Sequence, residues 1–345
     1  MSSSEQDPTV SLEGQADPVV RDAALDPNAT DYSPDLATAN AAEEIQTDQL
    51  PTICDYEGSG YKIDFWEGQG RDYEDAVERI ALRQLLPKHA HRYVEFGAGF
   101  GRLTDEGAAY EQVVLVDYSR SLLQEAQEKW GTSQRFVYVA ADLNHLPFAP
   151  NAFDAAAMIR VLHHLPEPVR VLHQIRACLA PEAVFILEFA NKLNLKAIAR
   201  YLVGQQAWSP FDLDPVEFVR LNYDFHPTAV RQWLLDTGFL PVHTLAVSWL
   251  RAGLLKRRLP LQTLTAIDRV LQPLGPVLPL SPSVFVKNVA QAANRAPVVP
   301  FEQLFVNPDR PGSVLIQDGE TMRCPETGAR WAIHNGIYDF KAPIG

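Results

Sequence analysis

Residues 94–102 read VEFGAGFGR: an apolar run, an acid, then glycine at every second position, Gly97, Gly99 and Gly101. Glycines between a buried strand and a helix let a ligand lie against bare backbone, with the N–H groups of the helix start turned toward it. Two ligand classes use such a turn. The dinucleotide fingerprint, G-x-G-x-x-G, brings backbone to a pyrophosphate. Here the spacing is G-x-G-x-G, Arg102 stands where the third dinucleotide glycine belongs, and Glu95 precedes the first glycine by two.

Two further acids bear on the choice. Asp117 ends the run QVVLVD, and Asp142 follows RFVYVAA. A carboxylate ending the second strand can accept hydrogen bonds from both ribose hydroxyls, a task common to both cofactor classes. One at the end of the third strand suits the exocyclic amine of adenine. Three acids at successive strand ends mark the carboxyl edge of an open α/β sheet, where such sheets bind ligands.

The surrounding pattern agrees. RDYEDAVERIALRQLL places Tyr73, Val77, Ile80, Ala81 and Leu85 on one helical face, and Pro87 ends the run. The strand-like runs YVEF, QVVLVD, RFVYVAAD, FDAAAMI and AVFILEFA then alternate with helical stretches, including 119–130 and 166–179. Continuous apolar strands separated by helices predict a parallel sheet covered on both faces. An insertion at 191–225 carries six aromatics: Tyr201, Trp208, Phe211, Phe218, Tyr223 and Phe225. A helix, a strand, a second insertion at 250–282 and the closing strand SVFVKNVA follow. We therefore expect an acidic tail at 1–57, a main domain at 58–290, and a spacer with a small β-rich unit at 291–345.

Charge is distributed unevenly along the 345 residues. Residues 1–57 hold 13 acids and one Arg, whereas the rest hold 30 acids and 29 bases. The tail has few large apolar groups to offset its ordering entropy, so it reads as disordered. Its removal is expected to leave stability and cofactor affinity nearly unchanged. The nearly neutral body argues against a broad nucleic-acid footprint, which needs clustered Lys and Arg. Three widely spaced cysteines give no disulfide framework, and the N-terminus shows neither a basic start nor an apolar core. A cytoplasmic location is the resulting expectation.

In this order, VEFGAGFGR, VVLVDYSRSLL, ADLNHLPFAPNAFDAAAMIRVLHHLPEP and LAPEAVFILEFANK resemble the motifs of class I S-adenosylmethionine-dependent methyltransferases. The small-molecule type with an LHHL element after the fourth strand is the nearest variant, and the resemblance spans roughly residues 58–290. It implies a Rossmann-like, doubly wound seven-stranded sheet whose last strand is antiparallel, with S-adenosyl-L-methionine as cofactor. It implies that Glu95, Gly97, Gly99 and Gly101 line the methionine and ribose end, that Asp117 holds the ribose, and that Asp142 and Leu143 flank the adenine. Ala98, Tyr118 and Ile159 complete the expected cofactor-binding set.

Methyl transfer from a sulfonium is an in-line displacement, and a base is needed only when the acceptor arrives protonated. Candidates are His164 of LHHL, Tyr223 of LNYDFHP and Arg160 of MIRV, the last suited to an anionic acceptor. Residues 191–225 are expected to form a lid. Residues 250–282 hold ten leucines, and Arg251, Lys256, Arg257, Arg258 and Arg269 stand against a single acid, Asp268. Leu264, Ile267 and Leu271 share one helical face there. That segment reads as a pocket roof, a membrane-surface foot, or a helical subdomain with its own small core. The C-terminal RCPETGARWAIHNGIYDF resembles small zinc-ribbon units found with methyltransferases, yet only Cys324 is present and Thr327 stands at the second cysteine position. One thiolate cannot make a four-ligand zinc site, so no metal is expected. The sequence thus reads as a methyltransferase for a small, hydrophobic acceptor at O, N or C. Alternatives are an RNA or protein methyltransferase, or a non-catalytic scaffold.

Overall fold

The computed structural model describes residues 53–291 and 296–344; most of the expected tail, 1–52, lies outside the described residues. A short helix α1 (Tyr61–Phe65) precedes α2 (Asp72–Leu85). Helix α2 opens with three acids in its first turn, where the dipole favours negative charge, and buries Tyr73, Val77, Ala81 and Leu85 at a spacing of four. Strands β1 (Arg92–Phe96) and β2 (Gln112–Asp117) follow, then α3 (Arg120–Trp130), β3 (Phe136–Ala140), β4 (Phe153–Met158), α4 (Pro168–Cys178) and β5 (Leu179–Ala190). The Ser119 hydroxyl accepts from the Leu122 N–H at 3.3 Å to cap α3, and Pro168 opens α4, where its missing N–H costs nothing.

The first insertion folds as α5 (Leu195–Leu202) and a hairpin, β6 (Val216–Val219) with β7 (Asn222–Asp224). Next come α6 (Pro227–Asp236), capped by the His226 imidazole, and β8 (Phe239–Val247). The second insertion supplies α7 (Gly253–Arg258) and α8 (Leu261–Leu271), and β9 (Ser283–Ala290) closes the body. The strand order is β3-β2-β1-β4-β5-β9-β8, parallel through β5 and antiparallel at β9. The right-handed crossovers of the parallel part bring the ends of β1, β2 and β3 to one edge.

The C-terminal unit differs from expectation. Its strands are β10 (Val306–Asn307), β11 (Arg310–Val314), β12 (Ile316–Asp318), β13 (Thr321–Arg323), β14 (Arg330–His334) and β15 (Ile337–Asp339). Strand β15 pairs in parallel with β3, extending one sheet to eleven strands in the order β12-β13-β14-β15-β3 and onward. Phe340 N–H donates to Ala140 O at 2.7 Å, and Leu304, Phe305, Trp331 and Phe340 bury in the same core as Val137, Val139 and Phe148. The β-rich unit expected at 291–345 thus continues the main sheet and shares its core. The turn at Cys324 is closed by backbone bonds: Cys324 N–H to Ala329 O at 2.8 Å and Gly328 N–H to Cys324 O at 2.9 Å.

Helix α8 also departs from the expected face. It buries Leu264 and Asp268, while Ile267 stays 40% exposed. The Asp268 carboxylate accepts from the Tyr73 hydroxyl at 2.5 Å and the Trp249 N–H at 2.8 Å, which turns the helix so that its acid points inward.

Because one core is shared, thermal unfolding followed by calorimetry should show a single transition, with no separate melting of residues 296–344. Trp331→Ala should lower stability of the whole chain by about 3–5 kcal/mol. Two resolved transitions, or a Trp331→Ala effect confined to the first of them, would contradict the shared core.

Candidate active site

The turn after β1 is bound by sterics. Gly97, Gly99 and Gly101 all have positive φ, at 70°, 52° and 71°. A Cβ on Gly97 would stand 2.1 Å from Val161 Cγ2, so only glycine lets the turn pass. Gly101 serves packing instead: its Cβ would meet Trp130 Nε1, Ala126 Cβ and Thr104 Oγ1 within 3.3 Å, and it does not line the cavity above the turn. The resemblance implies Gly101 at the methionine and ribose end, where the cavity lining lacks it. The third glycine lets α3 approach.

That cavity, of about 550 Å³, runs along the carboxyl ends of β1, β2 and β3. It is lined by Glu95, Gly97, Ala98, Gly99, Asp117, Tyr118, Asp142 and Leu143, together with Arg160 and His164. Asp117 accepts from the Gly99 N–H through Oδ2 at 2.8 Å and from the Ser119 N–H through Oδ1 at 2.9 Å. Each carboxylate oxygen keeps a lone pair for a further donor. Burial pushes the Asp117 carboxyl up to about 6, with those two N–H bonds pulling the other way. Burial likewise pushes Glu95 up to about 7, against the Thr104 hydroxyl, which donates to it at 2.8 Å, and Arg102. Asp142 accepts from the Asn144 backbone and side-chain N–H groups at 2.8 and 3.0 Å, fixing its orientation.

Ile159 follows β4 directly, packs in an apolar cluster and does not line the cavity. Tyr223 also lies off the cavity lining. Its ring stacks on Phe225 at 6.2 Å and packs against the main core, so the acceptor-side role expected for it has no geometric support. Neither insertion contributes a lining residue, so the expected lid at 191–225 does not form this wall. Tyr201, Phe211 and Phe218 face solvent. The roof comes from residues assigned to the tail and just beyond it: Ile53, Cys54, Tyr56, Tyr61 and Trp66. Glu57 fastens this strap, accepting from the Arg120 N–H at 2.6 Å and the Ser121 N–H at 3.2 Å at the start of α3. Residues 53–57, expected to belong to the tail, thus share in the roof and its fastening. The aromatic cluster in YEGSGYKIDFW was the available signal.

Arg160 occupies the left-handed region at φ 59°, an uncommon place for a non-glycine residue. Its N–H donates to Glu188 at 2.8 Å, and its guanidinium grips Glu78 through Nε at 2.7 Å. Arg102 takes the other Glu78 oxygen at 2.7 Å. Burial opposes ionisation of Glu78, yet Arg160 and Arg102 prevail and hold its pKa below the usual range. The Arg102 and Arg160 guanidiniums lie 3.6 and 5.2 Å from the centre of the Trp66 ring. Arg160 is thus spent on a clasp rather than offered to an anion.

His164 sits where β4 leads into α4. Its Nδ1 lies 2.8 Å from Leu221 O, and a carbonyl only accepts, so Nδ1 carries the proton and Nε2 is left as an acceptor. Burial lowers its pKa, with the Leu221 bond acting in the opposite sense. The neutral ring is favoured.

The residues present fit S-adenosylmethionine: a glycine cradle that a Cβ would fill, and three carboxyl groups suited in turn to an ammonium, a pair of hydroxyls and an adenine amine. The comparisons agree. The methyltransferase domain family matches residues 94–187. The chain is 32% identical over 189 residues to a demethylmenaquinone methyltransferase of Protochlamydia amoebophila, covering 48% of this chain and 74% of that one. It is 26% identical over 182 residues to a demethylmenaquinone methyltransferase of Clavibacter sepedonicus, covering 52% and 71%. A solved S-adenosylmethionine dependent methyltransferase of Mesorhizobium loti aligns at a TM-score of 0.44 and 18% identity, covering 63% of this chain and 99% of that chain. The chain belongs to the class I S-adenosylmethionine-dependent methyltransferases. It is a methyltransferase enzyme with S-adenosylmethionine as its cofactor.

Both Glu95 and Asp117 hold protons to higher pH in the folded chain than in the unfolded one. Between about pH 4 and about pH 7 the folded state therefore binds more protons, and stability falls as pH rises across that window. Glu95→Gln should remove part of that fall, on the order of 2–3 kcal/mol in denaturant titrations of the ligand-free protein. An unchanged slope would show that Glu95 is ionised throughout. A second test concerns the strap: calorimetry should show weaker S-adenosylhomocysteine binding for a chain lacking 1–57 than for one lacking 1–52. Equal affinities would mean that the roof contributes nothing.

Proposed function

We propose that this enzyme methylates a small, hydrophobic, ring-bearing acceptor at oxygen, nitrogen or carbon, with His164 as the general base where the acceptor is protonated. The observation that carries this reading is the His164 ring in the cavity wall, with Nδ1–H turned to Leu221 O and Nε2 left as an acceptor. Tyr61, Trp66 and Phe100 in the same cavity offer apolar surface. Similarity to two enzymes named for demethylmenaquinone supports an apolar ring as acceptor. The nearly neutral body weighs against RNA.

S-adenosylmethionine, when bound, supplies a methyl group already activated on sulfur. The protein's part is then placement. Glu95 would face the cofactor's ammonium, a charge that would favour its ionised form. Asp117 would hold the ribose hydroxyls with its remaining lone pairs, Tyr118 and Leu143 would flank the sugar and base, and Asp142 would accept from the adenine amine. Gly97, Ala98 and Gly99 bring backbone to the methionine end. His164 Nε2 accepts the acceptor's proton and keeps it until the product leaves. The strap at 53–66 excludes water from the aromatic end, so positioning is retained through transfer.

His164→Gln should lower kcat by about 10²–10⁴ and leave the Kd for S-adenosylhomocysteine unchanged. Tyr61→Ala should raise the acceptor KM with a smaller effect on kcat. A lipid-rich metabolite extract incubated with methyl-labelled cofactor should yield label that moves into the organic phase. Label confined to RNA or protein, or full kcat in His164→Gln, would overturn the reading.

A further inference from the structure

Helix α8 buries one leucine, Leu264, beside an acid, and leaves other aliphatic side chains in solvent. Its acid, Asp268, is fully buried against Tyr73, Trp249 and Gln272, whereas Ile267 and Val270 face solvent. Val270 is 75% exposed and Val277, in the segment after α8, is 80% exposed. Leu254 on α7 and Leu274 and Leu278 beyond α8 are exposed as well. The patch continues toward the first insertion, because Leu195 N–H donates to Leu280 O at 2.9 Å and Asn191 Nδ2 to Pro279 O at 2.6 Å. Apolar surface of this extent on a folded chain marks a place that something covers.

The charges say what. Between residues 250 and 282 the single acid is Asp268, and it is turned away from the surface. Arg257, Arg258 and Arg269 are all exposed, and none makes an ion pair among the described residues. The segment therefore presents aliphatic side chains with an excess of unneutralised guanidinium and no exposed carboxylate. A second copy of the chain would set these cations against their own kind. A surface of anionic phospholipid matches both features, since aliphatic side chains enter the headgroup boundary and arginines pair with lipid phosphate. Among the described residues no helix is long and apolar enough to cross a membrane, so the contact would be peripheral.

We propose that α7, α8 and the segment to residue 280 form a docking surface for anionic phospholipid bilayers. This holds whatever acceptor the enzyme uses, because it rests on surface residues outside the cofactor cavity. The test is flotation of the full chain with vesicles of phosphatidylcholine containing phosphatidylglycerol, against vesicles of phosphatidylcholine alone. The chain should float with the anionic vesicles, with little binding to the neutral ones, and raised salt should release it. Val270→Asp combined with Val277→Asp, and separately Arg257→Glu combined with Arg258→Glu, should each lower the bound fraction about tenfold or more without shifting Tm. Sedimentation of the chain with both vesicle types, or flotation of both variants like the parent, would overturn the proposal. So would an aspartate variant that abolishes a dimer while the parent fails to float.

Discussion

The buried carboxylate of Glu78 ties helix α2 to the glycine turn and to the end of β4, both at the cofactor cavity. It sits on α2, fully enclosed, and receives one guanidinium from the glycine turn and another from the end of β4. Those two arginines in turn face the Trp66 ring from the strap. Withdrawing one partner from such a group leaves a charge with no solvent to receive it, at a cost of about 3–5 kcal/mol. The turn, the strand end and the roof are thus coupled: none can shift without exposing Glu78 to an unbalanced field. The left-handed backbone of Arg160 is held by the same coupling, since Glu188 fixes its N–H while Glu78 fixes its side chain.

Opposite this cationic clasp, the cavity's acids are kept in a low-dielectric wall. Glu95 and Asp117 are raised by burial, which makes their ionised forms costly until a cation or hydroxyl donors arrive. Asp142 differs, because two N–H donors from Asn144 orient it. The wall is graded, from a carboxyl group awaiting a positive charge to one set for neutral donors.

How much of this was legible depends on the range of the interaction. Glu95, Asp117 and Asp142 stand at strand ends that hydrophobic runs reveal, and the glycine spacing is a local backbone requirement, so the cofactor wall could be read directly. Gly101 shows the limit: a glycine that admits a helix and one that admits a ligand look alike until the neighbours are known. Arg160 read as a ligand contact because nothing near it in sequence announces Glu78, which lies on a different helix. Asp268 rotated the buried face of α8 so that Leu264 stays inside and Ile267 does not, through a bond to Tyr73, likewise distant in the chain. Strand β15 has three residues and no periodicity of its own, and its partner is chosen by the free edge of β3.

That last pairing sets the order in which the molecule can be completed. Tyr138 on β3 waits for Ile337, roughly two hundred residues later in the chain. Until then β3 is an open parallel edge whose N–H and C=O groups would accept any passing strand. Contacts of such high sequence separation close late and slow the search for the native state. A nascent chain would carry the glycine turn and all three acids well before this edge is covered, so cofactor or chaperone binding during synthesis would act on an incomplete sheet.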